Sequence, residues 1–215
     1  MIPIHAACRA ARPAAFALIA LSLAITPAGA HHPMGGTIPA TFLHGLLSGL
    51  GHPIIGLDHF AAMLAVGCLC ALQPRGALLA LGFVAANIAG AALHLRGINL
   101  PAGEILAAAA VIALGAVLIS ARALPAALLL AVFLAAGFVH GYLLGEAIVG
   151  AETAPLAAYF IGLVLVQSAV ALAAMKAAQF ALARGAGGHA ALRLAGFAIA
   201  AFGLFVLVRQ LTSAA

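Results

Sequence analysis

The chain has 215 residues, 67% of them hydrophobic and only 6% charged, with a mean hydropathy of +1.26. Apolar runs of that total length exceed what one small soluble core can hide, and they read as bilayer spans. The formal net charge of +5 comes from nine Lys and Arg scattered singly. That is the pattern of positive loops beside spans, and it argues against a nucleic-acid partner.

The first thirty residues have the three parts of a signal peptide: Arg9 and Arg12, an apolar stretch from Ala14 to Ile25, and the small-x-small site Ala28-Gly29-Ala30. Cleavage there would leave residues 31–215 as a single helical membrane domain, with residue 31 on the exported side. An uncleaved first span is the alternative. A short apolar piece, Ile38 to Leu50, precedes Gly51-His52-Pro53 and falls below the ~20 residues of a full span, so a half helix is expected.

Six spans follow: Ile54–Leu72, Ala77–His94, Gly103–Ser120, Leu124–Gly150, Thr153–Met175 and Leu192–Val208. The breaks between them are Gln73-Pro74-Arg75-Gly76, Arg96 to Pro101, Arg122, and Lys176 to Gly188. If the half helix does not cross, Arg75, Arg122, Lys176, Arg184 and Arg193 are cytoplasmic, leaving Arg96 and Arg209 outside. The expected fold is therefore an all-α, polytopic membrane helix bundle, and strands of alternating polarity for a barrel do not appear. Gly137, Gly141 and Gly145 recur every four residues, as do Gly82, Ala86 and Gly90, and such stripes let helix backbones approach closely. Cys68 and Cys70 lack the two-residue spacer of a zinc or redox motif and read as apolar packing, while Cys8 lies in the leader.

Ionisable groups inside spans are costly, so each needs a reason. The densest group is His52-Pro53-Ile54-Ile55-Gly56-Leu57-Asp58-His59. Imidazole suits nickel, cobalt, zinc and copper, and a carboxylate compensates a divalent charge. Adjacent helical residues diverge by about 100°, so either one ligates while the other orients it, or Gly56 kinks the chain. Met63, one turn beyond His59, is a soft outer ligand or a core residue. His44 stands eight residues before His52. A mature N-terminus at His31-His32 is either a metal-capture arm or a polar tail. A second group places His140 and Glu146 six residues apart, about 120° around a helix, beside Gly141 and Gly145. His140 is a ligand, or a buried imidazole satisfied by a backbone carbonyl.

Because spans alternate in direction, Asp58, His59, His94, Glu104, His140, Glu146 and Glu152 all fall toward one membrane face, expected to be periplasmic. Asn87 and Gln167-Ser168 lie nearer mid-membrane, as the continuation of a polar path or as interhelical hydrogen bonds.

The signal peptide, the His-Pro-x-x-Gly-x-Asp-His pattern at His52 to His59 and the run on through Ala62-Met63-Leu64-Ala65-Val66-Gly67 resemble the HupE/UreJ family of hydrogenase and urease accessory proteins. The resemblance implies a nickel or cobalt permease of the bacterial inner membrane that supplies metalloenzyme maturation, with metal handling at His52, Asp58 and His59. The family's second pattern, His-Gly-x-Ala-His-Gly-x-Glu, is met by His140-Gly141-Tyr142, but Leu144 stands at the second His position and Glu146 comes one residue early.

The expected function is a secondary permease for Ni²⁺ or Co²⁺, with no prosthetic group and no enzymatic activity. His52 and His59 would coordinate, Asp58 would compensate charge, His140 would assist and Glu146 would stand at the mouth. His31, His32, His44 and His94 are further candidate ligands. No Gly-x-x-x-x-Gly-Lys-Ser/Thr loop occurs, so ATP hydrolysis is not expected. The alternatives are a membrane-embedded zinc hydrolase and a metal-binding accessory or sensor protein that does not transport.

Overall fold

A computed structural model describes residues 37–213, so the expected signal peptide and the His31-His32 arm lie outside the described residues. Within them the chain forms seven α-helices and no strand: α1 (Phe42–Ile55), α2 (Leu57–Cys70), α3 (Gly76–Leu95), α4 (Gly103–Ile119), α5 (Ala126–Gly145), α6 (Thr153–Leu182) and α7 (Ala186–Ser213). A single 3-10 turn, Glu146–Ile148, follows α5. Four helices, α3, α5, α6 and α7, are long and apolar enough to cross a membrane. The α1–α2 pair, bent by 77°, makes a fifth if it is one broken span, and α4 is a shorter apolar helix of 17 residues.

The N-terminal half helix is present, but its boundary differs from the expected one. Thr41 caps α1 by accepting the backbone N–H of His44 at 3.1 Å. The helix then runs through Gly51-His52-Pro53, and the break falls at Gly56, which is extended at φ −72°, ψ 96°. The reason is local. The N–H of Gly56 still reaches the carbonyl of His52 at 2.9 Å, so the last turn closes around Pro53. The expected first span from Ile54 to Leu72 is accordingly only α2, about 21 Å long against a ~30 Å hydrocarbon core. At the other end of the chain the expected Lys176–Gly188 break shrinks to a tight turn, with Gly185 at φ 76°. The Ala-rich run after Lys176 has high helix propensity and carries α6 on to Leu182.

Glycines decide how the helices pair. A Cβ at Gly45 or Gly49 would strike the backbone carbonyls of Pro155 and Tyr159, so α1 lies directly on the first part of α6. The two stripes seen in the sequence meet each other. Gly137 approaches the Phe83 carbonyl and the Ala86 Cβ, Gly141 lies against the backbone of Asn87, and Gly90 against Phe138. Residue numbers rise together across that contact, so α3 and α5 are parallel. In the third pair Gly115 meets Gly196 and Ala200 while Gly203 meets Ile112, which makes α4 and α7 antiparallel. Small residues at these crossings let dispersion between backbones hold helices that apolar burial cannot drive together in lipid. Met63, Leu69, Phe83, Leu114, Leu118, Leu129 and Phe133 fill the space between the pairs.

These directions put the start of α1, the start of α4, the end of α5 and the start of α6 at one end of the bundle, and the start of α2 deeper, beside His140 of α5. Three of the four acids, Glu104, Glu146 and Glu152, stand at that end, and Asp58 lies below them in the first turn of α2.

Candidate metal centre

The break at Gly56 is what turns the first motif into a site. On one continuous helix His52 and His59 would share a face but stand about 10 Å apart along the axis, with Asp58 turned about 100° aside. With the chain bent by 77° between α1 and α2, the end of one helix faces the first turn of the next. His52 and His59 come to a ring separation of 5.9 Å, nearly perpendicular at 79°. A Cβ at Gly56 would lie 2.6 Å from His59 Cδ2, so any larger residue there would push the His59 ring from its place. Asp58 sits in the first turn of α2, where the helix dipole favours negative charge.

His140, from the last turns of α5, closes the group. Its Nδ1 lies 2.9 Å from Nδ1 of His59, with the two rings at 76°. Asp58, His59 and His140 each offer a ligand atom within 4.8 Å of the other two. Both imidazoles are buried, His59 at 6% and His140 at 1% exposure, and Asp58 is half-buried. Two nitrogens about 2.1 Å from one ion, at right angles, are themselves about 3 Å apart. The observed Nδ1–Nδ1 separation is that of an imidazole–imidazole hydrogen bond, and it also equals the spacing of two imidazoles on one cation, with Asp58 close enough to compensate its charge.

His52 is held from behind. The Tyr159 hydroxyl donates to the carbonyl of Leu144, and its oxygen lies 3.3 Å from His52 Nδ1. Since the hydroxyl proton goes to Leu144, His52 Nδ1–H is the donor to Tyr159, which leaves Nε2 with the lone pair. One buried tyrosine thus ties α1, α5 and α6 together around the cluster. Orienting partners of this kind fix both the tautomer and the aim of a ligand ring.

The family model described as HupE / UreJ protein matches residues 19–206. The chain belongs to the HupE/UreJ family. No curated protein and no solved structure matches it. The family is associated with nickel and cobalt uptake or with accessory functions for hydrogenase and urease.

Within the HupE/UreJ second motif the structure brings in His140 and leaves Glu146 apart. Glu146 is exposed beyond the end of α5, and its neighbour Leu144, at the family's second His position, contributes a carbonyl to Tyr159 instead of a ring. His94 is half-buried and stacks on Tyr142 at 4.5 Å, whose hydroxyl accepts the N–H of Leu100. His44 is exposed on α1. Neither joins the three converging residues. Tyr159 is the residue that the sequence reading passed over. Its signal was a hydroxyl inside an apolar span, which must find a partner when buried.

Proposed function

We propose that this protein is a secondary permease for a divalent transition metal, Ni²⁺ or Co²⁺, feeding metalloenzyme maturation such as that of hydrogenase or urease. The observation that carries the reading is the convergence of Asp58, His59 and His140 within 4.8 Å at a break between two half-length helices. Interrupted helices with polar groups at the break are the usual way a membrane protein exposes ligands to an ion at depth. His59 and His140 coordinate the cation, Asp58 compensates its charge, and His52 completes the shell from the end of α1.

The acid-bearing end is the periplasmic one, in the bacterial inner membrane, and residues 31–215 act as one transport unit after the leader is removed. Glu104, Glu146 and Glu152 concentrate cations at that mouth. An inside-negative potential drives uptake, at about 4.6 kcal/mol per 100 mV for a divalent ion. The cation is cargo, held only long enough to be passed on.

The direct test is X-ray absorption on purified protein loaded with one equivalent of Ni²⁺. The expected spectrum has nitrogen and oxygen neighbours with histidine outer-shell scattering, and it is lost in His59→Ala and His140→Ala. A spectrum of hydrated nickel in the unaltered protein would contradict the reading.

A further inference from the structure

Below the cluster, the apolar interior of the bundle holds one group the metal centre does not use. Gln167 of α6 is 1% exposed, and both its amide nitrogen and its amide oxygen are buried without a hydrogen-bond partner. Among the described residues only two other buried side-chain atoms stand so, His94 Nδ1 and His140 Nε2. An unpaired buried amide costs several kcal/mol, and a core position in the middle of a 30-residue apolar helix would ordinarily carry Leu or Ala. Gln167 is also not acting as glue between helices, which is the usual reason for an amide within a span.

Its place in the fold gives the amide a use. Both α2 and α6 run away from the acid-bearing end, α2 from its start at the cluster. Gly67 of α2 is pressed against the carbonyl of Ala171 and lies 2.6 Å, by its Cβ position, from the Cβ of Ala174. One turn back from that contact on each helix stand Met63, 1% exposed, and Gln167. One further turn back on α2 is His59. Gln167 therefore lies about one helical turn deeper than the cluster, about 6 Å along α2. Helical side chains lean toward the N-terminus, so Met63 and Gln167 both lean up toward His59.

We propose that Gln167 is an inner station for the cargo cation: its amide oxygen takes the ion as it leaves Asp58, His59 and His140, with the Met63 thioether lining the step. This rests on the metal-transport reading and extends it. A neutral oxygen suits such a station, since conduction requires a site favourable enough to enter and weak enough to leave.

The test uses full-length protein in two assays, Ni²⁺ binding in detergent by calorimetry and Ni²⁺ influx into proteoliposomes loaded with a metal-sensitive dye. Gln167→Leu removes the oxygen, so influx is expected to fall at least 10-fold while affinity at the outer cluster stays within 2-fold. Gln167→Glu places a charged oxygen at the same reach, so influx is again expected to fall while affinity rises at least 10-fold. Opposite movements of affinity with a shared loss of flux are not what a merely structural amide would give. Wild-type influx in Gln167→Leu, or an equal loss of binding in both variants, overturns the station and leaves the outer cluster standing. Absence of Ni²⁺ binding and influx in the unaltered protein overturns both. Should the leucine variant fail to fold, Gln167→Glu carries the test alone, and unchanged affinity with unchanged flux there overturns the proposal.

Discussion

At the scale of single residues, the chemistry rests on imidazoles whose rings are aimed by other groups. Tyr159 bridges the Leu144 carbonyl and His52 Nδ1 across three helices. Tyr159→Phe removes that bridge and leaves a buried ring nitrogen and a carbonyl to fend without it. Nickel affinity is expected to drop about 10- to 100-fold, the usual loss when a ligand's orienting partner is removed, and titration calorimetry reads it. The residues of the proposed cluster stood out in the sequence, because an Asp and three His inside apolar runs are costly. Their partner did not. Tyr159 is 107 positions from His52, and no local pattern links residues whose contact exists only once α1 lies on α6. The departure of the second motif also has its physical counterpart here: Leu144 lends a carbonyl where the family pattern has a ring, and Glu146 stays at the surface.

The next scale up is the helix, where the break at Gly56 and the glycine contacts do the positioning. Gly56→Val puts side-chain carbon where His59 Cδ2 now lies, within 2.6 Å of the ideal Cβ. The variant is expected to keep its helical circular dichroism and lose nickel binding by at least 10-fold. Gly141→Leu is a different kind of change. It forces side-chain carbon onto the backbone of Asn87 and separates α3 from α5. A loss of about 1–3 kcal/mol or more is expected for overpacking at such a contact, seen as a lower unfolding temperature in detergent. Sequence reading recovered both glycine stripes, because spacing of four is a local property. It could not say that the stripes pack on each other, which depends on two helices being brought side by side and parallel. The same limit explains the displaced break. Gly51-His52-Pro53 carries the stronger breaking signal, yet a proline near a helix end is tolerated where the surrounding turn closes its other hydrogen bonds.

For the molecule as a whole, the alternation of helix direction gathers Glu104, Glu146 and Glu152 at one end, sets Asp58 below them, and leaves most of the basic residues toward the other end. The gathering of Glu104, Glu146 and Glu152 was legible from the alternation of spans, and the membrane face they meet is part of the proposal. In a Cys8→Ser, Cys68→Ser, Cys70→Ala background, Glu104→Cys and Glu152→Cys are expected to react with a membrane-impermeant maleimide added outside intact spheroplasts. Arg122→Cys is expected to react only after lysis. Labelling of Arg122→Cys from outside would invert the assignment of faces.

The proposed transport rests on all three scales together: aimed ligands, a broken helix that presents them, and a membrane face from which cations arrive. It is measured most directly as Ni²⁺ influx into proteoliposomes under an inside-negative potential, comparing the unaltered protein with Asp58→Ala and His59→Ala. Accumulation well above protein-free vesicles, reduced at least 10-fold by either substitution, is the predicted result. Equal influx in all three proteins, or none above empty vesicles for the unaltered one, would contradict it.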